Sequence, residues 1–300
     1  MGFDGCRWRN WANITVFLVN MFVTYVSLTG VFGPNNQTLS AKYQTLVTPA
    51  GWAFSIWGVI FIWEAIFCVA QASTSALRTS VVVEAVTPWW IAACVSQSLW
   101  TPLFAQEIIW GSLLAMLAIV ASLMGLIICA DRHLSLTPQE FWLLRAPFSL
   151  HAGWILAASF VNANVFVDFL RASPGVLVAA GVLSLILFLV IIVVYQFLAP
   201  KRDAIICFVA AWACIAIFSE LGHPALLNSP TRYNPHVFSE STTEQLRIAA
   251  CCVSVAALLS GVWAAFTRNG TKGRVRDSAD ALSGAPRSQL RASLLHPARV

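Results

Sequence analysis

Residues 51–71 read GWAFSIWGVIFIWEAIFCVAQ, an apolar run that holds one carboxylate, Glu64, and no basic residue. At about 1.5 Å per residue, a helix of this length spans roughly 30 Å, the thickness of a bilayer's hydrocarbon core. Similar blocks stand on both sides of it, at about 11–32, 89–107, 109–130, 146–169, 175–198, 203–221 and 246–267. Backbone groups in lipid find no water, so each block must satisfy its own hydrogen bonds as a helix. The fold expected is therefore an all-α integral membrane protein of about eight transmembrane helices. Gly33-Pro34 closes the first block and Ala199-Pro200 the sixth, while Thr87-Pro88 precedes the third, as helix-breaking pairs do. Blocks three and four adjoin almost without a loop, which predicts a tight helical hairpin.

Composition points the same way. Of 300 residues 58% are hydrophobic and only 10% charged, with a mean hydropathy of +0.74, whereas soluble chains run near 25% charged. That argues against a soluble enzyme, a nucleic-acid binder and a secreted disulfide scaffold. Of the eight cysteines only Cys6 lies clearly outside an apolar block, and none stands in a CxxC or metal-ligand spacing. They read as small buried hydrophobes. There is no phosphate loop, no HExxH and no GxSxG elbow, so no catalytic residue and no metal site is assigned. Lys42, Lys201 and Lys272 all lie outside the blocks, which excludes a retinal Schiff base. No block carries an arginine ladder, which argues against a voltage sensor.

Charge placement sets the orientation. With eight crossings, Arg7, Arg9, Arg78, Arg132, Arg145, Lys201, Arg202 and the seven basic residues from Arg268 to Arg299 share one side. Only Lys42, Arg171, Arg232 and Arg247 face the other. The positive-inside rule then puts both termini in the cytoplasm. The first loop faces the lumen or exterior, and its sequon Asn36-Gln37-Thr38 marks Asn36 as an N-glycosylation candidate. The first block reads as a retained helix more readily than as a cleaved signal peptide, lacking a clear small-residue cleavage site. Residues 268–300, rich in Arg, Ser, Gly, Ala and Pro, read as a disordered basic cytoplasmic tail.

Three stripes at helical spacing carry the candidate site. Phe54, Trp57, Phe61, Glu64 and Cys68 share a face of the second block, and Trp90, Ala93, Gln97, Trp100 and Phe104 one of the third. His151, Trp154, Ala158 and Asn162 form a stripe on the fifth. Each joins aromatic rings to one or two hydrogen-bonding groups, the make-up of an apolar pocket for a flat amphipathic ligand. Ordinary helix packing explains such stripes equally well. Glu64 is the one carboxylate deep in a block, where a charge is costly and faces a cavity or a partner.

Thr48-Pro49-Ala50-Gly51-Trp52-Ala53-Phe54-Ser55-Ile56-Trp57-Gly58 resembles the loop-to-second-helix signature of the TspO/MBR family, the tryptophan-rich sensory and translocator proteins. Gln97-Ser98-Leu99-Trp100-Thr101-Pro102-Leu103-Phe104 is similar to its third-helix motif. Leu143-Leu144-Arg145-Ala146-Pro147-Phe148-Ser149-Leu150-His151-Ala152-Gly153-Trp154 with Asn162 is similar to the fifth-helix motif of its longer members. Gln97 stands where the family usually has Asn, and His151 where longer members often carry an aromatic. The resemblance implies a five-helix core over 11–170 behind a short N-terminus, 1–10, with three further helices over 171–267 that carry no family motif. It implies a cavity for a tetrapyrrole, haem or protoporphyrin IX, or for a sterol, with no cofactor required. By matching position Trp52, Phe54, Trp57, Gln97, Trp100, Trp154 and Asn162 would line it. His151 would be the one span histidine available to a haem iron. The implied role is sensor or carrier in a lipid bilayer, in a family whose members often dimerise. A small-molecule transporter, a membrane porphyrin-degrading enzyme and a structural subunit of a membrane assembly stay open. Val193-Val194-Tyr195 followed by Lys201 also fits a loose cholesterol-contact pattern.

Overall fold

The structure, a computed structural model of the chain, describes residues 6–73, 75–132, 136–199, 201–223 and 238–283. Among these there is no strand. Eight long helices follow in order: α1 (Trp8–Ser27), α2 (Ile56–Ser73), α3 (Val81–Ala105), α4 (Ile109–Arg132), α5 (Ala146–Phe169), α6 (Pro174–Val193), α7 (Ala204–Gly222) and α8 (Glu240–Ser283). A 3-10 turn, Gly51–Ser55, leads into α2, and a short helix, Asn36–Lys42, lies in the first loop. Stretches including α2, α4, α5, α6, α7 and α8 are long and apolar enough to cross a membrane by length and composition. The chain is a multi-pass helical membrane protein. α1 and α3 fall outside that set because they carry amides and hydroxyls, which they bury against each other and against α2.

Those polar groups act as interhelical glue. The Asn13 amide donates to Gln71 Oε1 (2.8 Å) and Thr87 Oγ1 (3.0 Å), and Gln71 Nε2 donates to the Asn10 carbonyl (3.0 Å). α3 starts at Val81 rather than near 89 and runs through Pro88, where the ring removes one ladder donor. The Thr87 hydroxyl folds back to the Val83 carbonyl (2.7 Å) one turn below. Ser80 caps the new start by accepting from the Val82 N–H.

The expected α3–α4 hairpin is present and its mechanism is visible. The Ile108 N–H reaches the Leu103 carbonyl (2.9 Å) and the Glu107 N–H reaches that of Phe104 (3.0 Å), a Schellman closure. Glu107 takes the left-handed position, φ 59°, where glycine is usual. The Glu107 carboxylate offsets the strain by accepting from Lys42 Nζ (2.7 and 2.6 Å) and from the Tyr43 hydroxyl.

α1 to α5 form one group in which α3 packs on α1 and α4, and α4 on α5; α7 joins that group through α5, and α8 packs on α7 and α6. The α5–α7 contact is close because Gly153 faces Val209, whose Cβ lies 2.8 Å from where a Gly153 Cβ would sit. At one end of the same interface a π-helical turn, Phe141–Arg145, delivers Arg145 into the protein. There it bonds Asp131 Oδ2 (2.8 Å), Asp203 and Ser149, and Ser149 also donates to Asp203 (2.8 Å). Asp203 in turn caps α7 through the Ile205 and Ile206 N–H groups. The last three helices are thus built into the bundle.

Two expected boundaries move. α1 ends at Ser27, short of 32, and a run of turns carries the chain to Gly33. α8 continues as helix to Ser283, past the boundary at 267 beyond which a disordered tail was expected. No proline interrupts this stretch, the next being Pro286. Residues 284–300 lie outside the described residues. Of the loose sterol-contact pattern, the Tyr195 hydroxyl donates to Met124 Sδ (3.1 Å) within the bundle, whereas Val193 and Val194 are exposed.

Candidate functional site

A cavity of about 410 Å³ opens among the first five helices. The 3-10 turn brings Phe54 to its wall, α2 brings Trp57, α3 Gln97 and Trp100, and α5 Trp154 and Asn162. On α5 the lining residues Trp154, Ile155, Ala157, Ala158, Val161, Asn162 and Val165 lie along one flank of the helix. The two alanines leave the space that the rings border. Gly58 also lines it, and a Cβ there would meet nothing within 4 Å. Among the described residues none of α6, α7 or α8 lines the cavity, and its walls come from the 11–170 segment. Its size falls in the range of small-molecule sites, about 300–1,000 Å³.

The rings are fixed by one another. Phe54 meets Trp154 edge-on (5.6 Å between centroids), Trp57 stacks on Phe61 (5.2 Å) and Trp100 on Phe104 (5.1 Å). Asn162 is committed to the wall. Its Oδ1 accepts from the Trp100 indole N–H (3.0 Å) and its amide donates to Ser112 (3.2 Å). Gln97 is different: it is only 3% exposed, lines the cavity, and its Oε1 has no partner. The Thr24 hydroxyl of α1 is likewise buried, lining and unpartnered.

Three of the sequence candidates lie elsewhere. Glu64 and His151 are wholly buried, and His151 Nδ1 is 2.7 Å from Glu64 Oε1. Neither lines the cavity. The wall residue Trp57 has its ring edge-on to the imidazole at 5.6 Å, and the other imidazole nitrogen, Nε2, is buried without a partner. Trp52 packs edge-on against Trp212 of α7 (4.8 Å), beside the bond from the Trp212 indole to the Ala53 carbonyl (3.1 Å). It links the cavity-bearing helices to the last three. Asn36, in the loop helix, lies at the rim and is half-buried.

Sequence reasoning missed the wall from α1 (Thr24, Tyr25) and from α4 (Met116, Ile119). The α1 side had a usable signal: Asn13, Asn20, Thr24 and Ser27 recur at helical spacing and turn α1 inward. Met116 and Ile119 offered none, being ordinary apolar residues in an apolar helix. Among the described residues no group of His, Cys, Asp or Glu is arranged to hold a metal.

A bundle of apolar helices around an aromatic cavity defines a multi-pass membrane protein with an internal cavity of small-molecule size. The family comparison then gives the particular kind: the model described as TSPO-like protein matches residues 10–263, and the chain belongs to that family. The match runs through α6, α7 and α8 up to residue 263, so the family's own extent reaches into the last three helices. No curated protein and no solved structure matches the chain.

Proposed function

We propose that the cavity binds one flat amphipathic molecule, a tetrapyrrole or a sterol-like compound, and that the protein works as a sensor or carrier for it. The observation that carries this reading is the wall itself: four aromatic residues, Phe54, Trp57, Trp100 and Trp154, border one cavity that also contains an uncommitted buried amide, Gln97. Indole faces stack on a planar macrocycle or ring system, and a lone amide fixes its orientation. Protoporphyrin IX without metal suits these residues better than haem, because His151 bonds Glu64 and does not line the cavity.

A binder or carrier fits better than an open channel. Two helical turns from Gln97 on α3, Trp90 stacks with Phe17 (6.5 Å), and it also meets Phe67 (6.1 Å) and Phe148 (5.0 Å). That cluster fills the bundle interior with rings. We further propose eight crossings with both termini cytoplasmic, on the charge bias alone. Asn36 then lies on the opposite side beside the cavity rim, and a homodimer is the family-derived expectation.

The test is protoporphyrin IX quenching of tryptophan fluorescence in the detergent-purified chain, with Trp57→Ala and Trp100→Ala beside it. Saturable binding weakened at least tenfold, about 1.4 kcal/mol, in a folded variant supports the reading. Absence of saturable binding, or binding indifferent to both substitutions, removes it.

A further inference from the structure

Between the loop helix and the 3-10 turn the chain has no regular structure, yet it does not run over the surface as connections usually do. Of residues 43–50 all but the half-buried Thr45 are buried. Buried backbone groups must find partners, and this segment finds them on α7. The Ala53 carbonyl accepts from the Trp212 indole (3.1 Å), the Ala50 N–H donates to the Ala216 carbonyl (3.1 Å), and the Gln44 amide donates to Glu220 Oε1 (2.6 Å). Trp212, Ala216 and Glu220 stand four residues apart and so share one face of α7, along which the segment runs antiparallel. The Ala216 carbonyl has two lone pairs, of which the helix ladder uses one. Leu46 is met from α6: its Cβ lies 3.4 Å from where a Gly181 Cβ would sit, and Leu246 of α8 comes within 4.0 Å of the same point. The bond from the Thr45 N–H to Thr48 Oγ1 (2.8 Å) is internal to the segment and fastens it to nothing. Tyr43, Pro49, Gly51 and Phe54, interleaved with the residues that bond α7, line the cavity. Helices that contribute no described lining residue thus hold a segment that does.

We propose that α7 positions one wall of the cavity. By holding residues 44–53 it keeps Pro49, Gly51 and Phe54 in place around a bound molecule, and so sets how fast that molecule leaves. This rests on the ligand-binding reading above and deepens it, giving the last three helices a part in binding that none of them contributes by contact. Gln44 and Trp212 are positioning residues: neither lines the cavity, and each acts through the backbone of the segment it holds.

The experiment compares wild type, Trp212→Phe and Gln44→Leu as full chains in detergent. Trp212→Phe keeps a ring against Trp52 and removes the indole donor, while Gln44→Leu keeps the bulk and removes the amide. Hydrogen–deuterium exchange over residues 44–53 without ligand reports the hold on the segment. Release of bound protoporphyrin IX, followed as recovery of tryptophan fluorescence on dilution, reports its effect on the cavity. In each variant exchange over 44–53 and porphyrin release should both quicken at least fivefold, about 1 kcal/mol, the net worth of one hydrogen bond. Exchange in the α3–α4 hairpin should not change, and Tm should stay within about 3 °C of wild type. A lowered Tm with release as slow as in wild type would make α7 purely architectural and overturn the proposal. Exchange over 44–53 unchanged in both variants overturns the hold itself, and faster exchange with unchanged release overturns its control of the ligand. Absence of saturable porphyrin binding in wild type removes the cavity reading and the ligand half of the proposal, while exchange still decides whether α7 holds the segment.

Discussion

Gly58 is a residue of α2 at which the cavity can be filled without a close contact. It lines the space, and an added Cβ meets no atom within 4 Å. Gly58→Val should therefore leave Tm in detergent nearly unchanged, within about 0.5 kcal/mol as for a substitution that breaks no contact. Ligand affinity should fall at least tenfold. Loss of stability in place of affinity would show that the glycine packs against something else. The Glu64–His151 pair should behave in the opposite way. Each partner is the other's hydrogen bond in a site 0–1% exposed, so Glu64→Leu or His151→Leu alone should cost about 1–3 kcal/mol by stranding a buried polar group. The double substitution should cost clearly less than the two singles summed, as a thermal-unfolding cycle would show. Additive losses would mean that the two groups act separately. The stripes containing Phe54, Trp57, Gln97, Trp100, Trp154 and Asn162 were legible in the sequence because helical spacing puts such residues on one face. Periodicity could not tell that Glu64 and His151 pair with each other, or that Asn162 serves Trp100. Those facts depend on how two helices rotate about their axes, and spacing within one helix carries no such information.

At the scale of elements, the last three helices are fastened to the rest at α5–α7. Gly153 permits the approach, and Phe208 of α7 makes an equally close one on α8, its Cε1 lying 2.6 Å from where a Gly261 Cβ would sit. Gly153→Leu must push α7 away from α5. It should cost about 1–3 kcal/mol, the usual range for overpacking, seen as a lowered Tm; an unchanged Tm would mean that this contact is dispensable. Arg145 acts at the same interface with both Asp131 and Asp203, at side-chain exposures of 2%, 10% and 1%. Arg145→Met strands two carboxylates and should cost about 3–5 kcal/mol. Replacing all three by apolar residues of similar volume should recover much of it. A single variant as stable as wild type would show that the network holds nothing together. Little of this was legible beforehand. Arg145 and Lys201-Arg202 read as loop charges, since a π-helical turn that draws an arginine inward has no signature in composition. The tight α3–α4 hairpin, by contrast, followed directly from two apolar blocks with nothing between them.

The whole molecule is a membrane bundle whose apolar outer surface includes Phe22, Ile62, Leu259 and Phe266, with a polar clasp between Lys42, Tyr43 and Glu107 on its first loop. Hydrogen bonds from Lys42 and Tyr43 hold the Glu107 carboxyl below its ordinary value of 4.5. A carboxylate whose folded pKa is depressed contributes stability that is fully present above its unfolded pKa and disappears as pH falls through the folded one. Because the Lys42 and Glu107 side chains are 42% and 34% exposed, solvent screens the pair and the contribution should stay under about 1 kcal/mol. Tm should therefore drop slightly more below about pH 4.5 in wild type than in Glu107→Gln, and an identical acid profile would contradict the clasp. Membrane class and helical content were readable from hydropathy alone, because the bilayer imposes both length and composition on every crossing. The packing of α6, α7 and α8 was not, since apolar helices in lipid carry no strong pattern to mark which face meets protein.

The central claim is that a flat ligand sits among Phe54, Trp57, Trp100 and Trp154, and light-driven labelling would locate it most directly. Protoporphyrin IX bound to the purified chain is irradiated, and the modified residues are mapped by mass spectrometry with and without excess unreactive competitor. The account predicts competitor-sensitive modification concentrated on Trp57, Trp100 and Trp154. Modification confined to outward-facing Phe22, Ile62 and Phe266, or insensitive to competitor, would mean that the molecule merely dissolves around the bundle and that the cavity is not its site.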